Sequence, residues 1–292
     1  MQIKHDKPSR RKEPGADSPL GILAGAGRLP IEAAAELKTG SAPIFGFGFN
    51  GITNTELESE VESMHWSDLG QLSALSVALR RSNIERIVLL GKVPKSLLLS
   101  DRVRFSPDAE AHSLLEKHSD RSDDGILSLV ATWLEKQGFL IVDQGVALES
   151  MMVSVGPMTR LEPSEMALSN FAIGWPVVRA LGGSGVGQCV VVKDGAVLAV
   201  EAIEGTDETI RRAGLLGGPG AMVIKALRSV QDRRFDLPAI GPDTIQVMVE
   251  AGATALAVEA NATLILERER CVREADAAGI TIWGFDAEGQ GE

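Results

Sequence analysis

Gly21-Ile22-Leu23-Ala24-Gly25-Ala26-Gly27-Arg28-Leu29-Pro30 reads as a strand, a glycine turn and the first turn of a helix. The four residues before Gly25 are apolar or glycine, and residues 31–37 continue with apolar side chains at helical spacing. Pro30 suits the first helical turn, where its missing N–H is not required. A strand, a tight glycine turn and a helix make half of a βα unit, and the pattern recurs. Strands are predicted at 42–47 and 86–90, with a helix over 69–80 between Trp66 and the second of these. Ser122-Asp123-Asp124 precedes Ile126, Leu127, Val130 and Leu134, which fall at helical spacing; Gly138 ends that helix and 139–142 is a strand.

Residues 144–163 carry no strong period and contain Gly145, Gly156, Pro157 and Pro163, the marks of a domain junction. Beyond it, 188–192 and 196–203 flank Asp194-Gly195, a dipeptide suited to a primed two-residue hairpin turn. Both arms are nearly all apolar, which predicts that both faces are covered. A helix follows from about Asp207, then a strand at 222–226, a turn-rich stretch to Asp243 and a helix that Gly252 ends. Strands at 255–258, 263–266 and 281–283 and a helix at 268–278 complete the chain. The expected fold class is α/β, with two α/β domains joined by a linker and a mixed sheet in the second. The expected boundaries are a disordered basic tail at 1–19, an N-terminal domain at 20–145, a linker at 146–163, a C-terminal catalytic domain at 164–286 and a tail at 287–292.

Composition bounds the function. The 292 residues are 44% hydrophobic and 24% charged, which fits globular cores and argues against disorder or fibrous repeats. The net charge of −11 disfavours electrostatic capture of nucleic acid, so none is expected as a partner. Only Cys189 and Cys271 are present, outside any paired metal-ligand spacing, and read as reduced, buried thiols. No apolar run is long enough to span a bilayer and no signal peptide opens the chain, so a cytoplasmic protein is expected.

The glycine turn invites a phosphate, since Gly25 and Gly27 let backbone N–H groups and a helix N-terminus approach an anion. A packing turn explains it equally well, and the dinucleotide fingerprint fails because Pro30 stands where its third glycine belongs. A nicotinamide-dependent oxidoreductase is therefore an alternative with little support. The histidines, His5, His65, His112 and His118, share no metal-binding spacing and are expected in solvent. No G-x-S-x-G elbow is present, so acyl chemistry on serine lacks its motif.

What remains is a concentration of carboxylates in the second half, at Glu201, Glu204, Asp207, Asp232, Asp236 and Asp243. Carboxylates without histidine or thiolate favour a hard ion, magnesium or manganese. Asp207 and Asp243 are also ordinary first-turn acids, and Asp207-Glu208 can pair with Arg211 and Arg212. Asp236, in Arg233-Arg234-Phe235-Asp236-Leu237-Pro238, sits beside cations where no helix start is evident. Phosphate binding, metal binding and general base chemistry fit that segment, and so does a plain Arg–Asp surface pair.

Taken in order, four segments resemble the LpxI family, the UDP-2,3-diacylglucosamine pyrophosphatases of lipid A biosynthesis. They are the opening segment quoted above; Asp123-Asp124-Gly125-Ile126-Leu127; Val186-Gly187-Gln188 with Leu198 to Asp207; and Arg234 to Gly241. The resemblance runs from about Leu20 to Asp286. It implies two α/β domains with the nucleotide-linked lipid between them, and hydrolysis of UDP-2,3-diacylglucosamine to UMP and 2,3-diacylglucosamine 1-phosphate (lipid X) with magnesium. It implies Asp236 as the essential carboxylate, catalytic or metal-ligating, with Glu204 and Asp207 as further metal ligands. It makes Gly25, Gly27, Arg28, Asp123, Asp124, Gln188, Thr206, Lys225 and Arg234 the expected substrate contacts. It also implies transient contact with the inner-membrane surface and a homodimer. A catalytically silent nucleotide-lipid carrier on the same fold is the rival expectation.

Overall fold

The structure, a computed structural model, describes residues 15, 17–93, 107–116, 123–228 and 232–286. Both expected tails and the side chains of Asp123 and Asp124 lie outside the described residues, apart from positions 15 and 17–19.

The opening segment forms β1 (Leu20–Ala24) and α1 (Leu29–Leu37), with Pro30 in the first turn of the helix. They are followed by β2 (Ile44–Phe49), β3 (Ser63–Ser67), α2 (Leu72–Arg81), β4 (Arg86–Leu90), α3 (Ala109–Glu116), α4 (Asp123–Lys136), β5 (Leu140–Ile141) and the short α5 (Gln144–Ala147). The five strands make one parallel sheet in the order β3-β2-β1-β4-β5. The chain winds outward from β1 through β2 to β3, then returns to place β4 on the other side of β1. That reversal leaves a crevice outside the carboxyl ends of β1 and β4, where doubly wound sheets bind ligands.

The second sheet is built from β6 (Gly156–Pro157), β7 (Cys189–Lys193), β8 (Ala196–Val200), β9 (Met222–Lys225), β11 (Ala255–Glu259) and β13 (Thr281–Phe285). Its order is β6-β13-β11-β9-β7-β8, with β9, β11 and β13 parallel, and β6 and β7 antiparallel to their neighbours. The sheet is mixed, and helices α6 (Glu165–Gly183), α7 (Thr206–Gly217), α8 (Pro242–Ala251) and α9 (Arg268–Ala278) pack against it or each other. Cys189, Val191, Val223, Leu256 and Ile282 form its core on one face, and Val190, Ile224, Ala257 and Trp283 the core on the other. Strand β10 (Ala239–Ile240) pairs in parallel with β12 (Leu264–Ile265) as a separate two-stranded ribbon, so the expected strand at 263–266 is not part of the main sheet.

Two expectations change on contact with the structure. The hairpin turn forms, with Asp194 and Gly195 at φ 47° and 79°, as a primed turn requires. Yet β8 is the edge of the sheet and its Ala196 and Val197 are exposed, so only one arm of the hairpin is covered on both faces. Residues 146–163 are also not a free tether. Val153 is fully buried in the second core, its N–H donates to Thr263 O, and Gly156–Pro157 pairs with β13. Glycine and proline there mark breaks between short packed elements.

Candidate functional site

The carboxyl ends of the two sheets approach one another, joined by the segment from Asp232 to Pro238. Phe235 is buried among first-domain residues including Leu23, Leu72 and Leu75, and Leu237 joins the cluster of Leu20, Ile22 and Leu90. Gln144, just after the first sheet and almost wholly buried, ties both sides. Its Nε2 donates to Leu89 O at 2.7 Å and its Oε1 accepts the N–H of Leu237 at 3.0 Å. Arg234 clamps the joint, donating to both oxygens of Asp232 and, through NH1, to Glu135 of α4 at 2.6 Å. Those hydrogen bonds raise the guanidinium pKa and hold the Asp232 carboxyl below the ordinary carboxylate range. Arg234, expected on a phosphate, is held by two carboxylates.

Asp236 takes the other direction. Its Oδ2 accepts from Arg228 NH2 at 2.6 Å, with both side chains largely screened from solvent. Arg228 lies three residues beyond Lys225, the last residue of β9, so two cations stand at the carboxyl end of one strand. Lys225 is buried, and its Nζ donates to Ala239 O at 2.8 Å. Burial pulls its ammonium pKa down, Glu201 opposes that shift, and Lys92 at the end of the first sheet reinforces it. The field of Lys92 reaching Lys225 places charges of both domains on one crevice.

Gln188 and Thr206 meet at Glu201. One carboxylate oxygen of this buried residue accepts the Gln188 backbone N–H at 2.9 Å and the other accepts Thr206 Oγ1 at 3.1 Å. Gly187 permits the approach, since a Cβ there would lie 2.3 Å from Glu201 O. At the end of β11, Glu259 Oε2 accepts the Leu227 N–H at 2.8 Å, and burial raises its carboxyl pKa. Arg228, Glu259, Gln144 and Lys92 are the polar residues of this crevice that the sequence did not single out, and Glu201, named among its carboxylates, enters as a hydrogen-bond acceptor. Two cations spaced three apart after an apolar strand, and an acid ending one, are the signals it offered.

Cys189 lies between these groups, but complete burial raises its thiol pKa far beyond the range of a nucleophile. Cys271, also buried, is pushed up to about 12.

The first domain presents the glycine turn. A Cβ on Gly25 would sit 2.5 Å from Lys92 O, and the N–H groups of Gly25 and Ala26 donate to Leu90 O and Lys92 O. Close pairing of the β1 and β4 ends therefore explains Gly25. Gly27, at φ 98°, has open space where a Cβ would stand. Arg28 points to the domain joint instead, within 3.6 Å of Glu32, 3.5 Å of Glu56 and 3.8 Å of Glu267. The Glu267 N–H in turn donates to Glu32 Oε2 at 2.8 Å, and burial raises the Glu32 carboxyl pKa.

Beside the glycine turn an apolar chamber opens between the first sheet and its helices. Leu23, Phe49, Leu72, Leu89, Leu127 and Val130 line it, with Gly25 and Gly91 from the strand ends and Phe235 from the second domain.

The three carboxylates expected around one ion do not share a site. Glu204 bonds Arg212 at 2.6 Å; its carboxyl pKa is lowered by hydrogen bonds from its own backbone and from Arg212. Asp236 pairs with Arg228, and Asp207 lies in the first turn of α7, where its field reaches Lys225. Among the described residues no group of three or more His, Cys, Asp or Glu is placed to hold a metal. A closed cage for an ion is absent there, whereas one carboxylate such as Asp236, completed by phosphate oxygens, fits the way magnesium is bound in nucleotide sites.

Comparison with known proteins agrees with this two-part layout. The family model described as the LpxI N-terminal domain matches residues 19–151, and that of the LpxI C-terminal domain matches residues 154–283. UDP-2,3-diacylglucosamine pyrophosphatase LpxI of Caulobacter vibrioides is 28% identical over 282 residues, covering 92% of this chain and 98% of that protein. Among solved structures, glycinamide-RNase-transformylase T from Mycobacterium tuberculosis aligns over 63% of this chain and 44% of its own at 12% identity, with a TM-score of 0.23.

Proposed function

Because the chain belongs to the LpxI family, we propose that it hydrolyses UDP-2,3-diacylglucosamine, the substrate in the name of its Caulobacter vibrioides relative. The products are UMP and 2,3-diacylglucosamine 1-phosphate (lipid X), and the pathway is lipid A biosynthesis. One observation carries the reading: an apolar chamber and a charged crevice adjoin at the carboxyl ends of two sheets, with Phe235 and Asp236 side by side in the chain between them. A nucleotide-linked lipid needs both surfaces within one molecule's reach.

In this reading the acyl chains enter the chamber and the pyrophosphate lies in the crevice. Lys225 and Arg228 contribute positive charge as water attacks phosphorus in line and the P–O bond to the leaving phosphate breaks. Guanidinium geometry suits phosphate oxygens, and Lys225 acts as a point charge through a narrow low-dielectric gap. Asp236 orients the attacking water and accepts its proton, or holds the ion. Asp236 would be the residue to hold magnesium, which would supply charge neutralisation and an activated water. Gln188, Thr206 and Asp207 border the same crevice and are the proposed sugar and phosphate contacts, joined by Gly27 from the first domain. Among the described residues no helix is long and apolar enough to cross a membrane. A lipid substrate therefore calls for transient contact with the inner-membrane surface from the cytoplasmic side, and a homodimer accords with the prevalence of two-fold assemblies.

The test is UMP release from UDP-2,3-diacylglucosamine in detergent, with magnesium and with chelator, in water enriched in heavy oxygen. Magnesium-dependent release is expected, and the labelled product identifies the phosphorus attacked. Binding without release from folded protein would replace the enzyme with a silent carrier.

A further inference from the structure

We propose that Phe235 couples the filling of the apolar chamber to the placement of Asp236, so that the acyl chains govern the rate of hydrolysis as well as affinity. The inference rests on reading the chamber as the acyl site. Phe235 follows the second sheet's β9 in sequence, yet its side chain is only 4% exposed, inside the first domain's core. There it forms part of the chamber wall with Leu23, Leu72, Leu89 and Val130. The adjacent residue, Asp236, reaches Arg228 in the crevice.

The segment is too short and too firmly held for these neighbours to move independently. Consecutive Cα atoms are fixed at about 3.8 Å. On one side Arg234 is bound to Asp232 and Glu135, and the Asp236 N–H donates to Asp232 O. On the other, Leu237 is buried and its N–H donates to Gln144. A ring facing unfilled space lacks contact atoms on that side. An acyl chain supplies those contacts, presses the ring to one position, and through the shared backbone fixes the Asp236 carboxylate relative to Arg228. Phe235 is thus a positioning residue, acting through Asp236.

The experiment measures kcat and KM separately for UDP-2,3-diacylglucosamine with acyl chains of graded length and for acyl-free UDP-glucosamine. It compares the full-length wild type with Phe235→Ala and Phe235→Leu. In the wild type kcat is expected to rise with chain length. In Phe235→Ala that rise is lost, lowering kcat on the long-chain substrate about 10- to 100-fold, the scale of an ångström-sized misplacement. Phe235→Leu, which keeps an apolar body against the chain, recovers most of the rise. A Phe235→Ala enzyme whose kcat climbs with chain length as in the wild type, its loss confined to KM, overturns the coupling and leaves the chamber as a plain binding wall. A wild type that cleaves acyl-free substrate as fast as the acylated one overturns the chamber reading and the coupling together, while the pyrophosphatase reading stands. Should Phe235→Ala fail to fold, Phe235→Val supplies the same comparison.

Discussion

The carboxyl ends of the two sheets meet one crevice with opposite equipment. The first domain brings shape: a glycine turn pressed against Lys92, and an apolar chamber lined by Leu23, Phe49, Leu72 and Leu89. The second brings charge: Lys225, Arg228, Asp236 and Glu259, with Gln188 and Thr206 gathered on Glu201. Parallel strand ends favour ligands in both cases, so the topology alone does not separate the domains. The side chains do. This division suits the proposed substrate, with one oily half and one anionic half, and the proposed chemistry falls on the segment from Arg234 to Leu237 that sews the halves together.

The largest expected effect strikes the charged half. Asp236→Ala is expected to lower turnover by about 10²–10³-fold or more, the cost of losing one preorganised polar group at a developing charge. The melting transition should stay close to wild type, because Asp236 is partly exposed and the anchors Phe235 and Leu237 remain. Asp236→Asn, which keeps the shape, separates charge from geometry. UMP release at wild-type rates from Asp236→Ala would move the chemistry off this segment and dissolve the comparison.

Glu201→Ala comes next, and its effect is on stability. The buried carboxylate accepts from Gln188 N–H and Thr206 Oγ1, and its loss orphans a buried backbone donor at about 1–3 kcal/mol. Denaturant unfolding of the variant should show that loss, with Glu201→Gln retaining most of the stability because an acceptor remains. A Glu201→Ala protein as stable as wild type would mean that water takes the place of the carboxylate and that the second crevice is not a dry, charged site.

Sequence and structure part company along the same line. The first domain was legible because its signals are local: apolar run, glycine turn and Pro30 each act within ten residues, and β1 and α1 lie where they direct. Strand β3, Ser63-Met64-His65-Trp66-Ser67, was not, because it is a short edge strand whose alternation rests on only two apolar residues, Met64 and Trp66. Helix α6 was hidden by Gly174 and Pro176 inside it; Gly174 is needed because a Cβ there would meet Ile224 at 2.3 Å. In the crevice the structure gathers Gln188, Thr206, Lys225 and Asp236, four of the residues that the resemblance named as expected contacts. Arg228 escaped because its place is set by burial and by its pairing with Asp236, whereas Glu201, one of the carboxylates the sequence gathered, takes its role as a buried acceptor from packing that spacing does not encode. Arg234 is paired with Asp232 and Glu135, and Glu204 with Arg212.

A smaller effect tests the dryness of the charged half through pH. Burial raises the Glu259 carboxyl above its ordinary value. The folded state therefore holds that proton more tightly than the unfolded chain does. Its contribution to stability is complete below the ordinary carboxylate pKa and fades as pH rises through the raised value. Glu259→Gln keeps an acceptor for Leu227 N–H and removes the titration. The difference in unfolding midpoint between wild type and variant should shift in the variant's favour from pH 4 to pH 7. A difference that does not change with pH would place Glu259 in water and weaken the contrast between the halves.

The smallest effect concerns Arg28, the cation of the first domain that the sequence placed on the substrate. Arg28 follows the glycine turn, but it faces Glu32, Glu56 and Glu267 at 3.5–3.8 Å, across the joint between the domains and half exposed. Ion pairs of that length in solvent contribute about 0–1 kcal/mol and weaken with salt. Arg28→Ala should therefore cost no more than this in an unfolding titration, with the loss shrinking as salt is raised, and KM for the nucleotide-lipid should hardly change. If KM instead rises tenfold with stability intact, Arg28 leaves its carboxylates for the pyrophosphate when substrate binds. Charge recognition would then be shared by both domains, and the glycine turn would serve to swing a cation into the crevice as well as to pack β1 against β4.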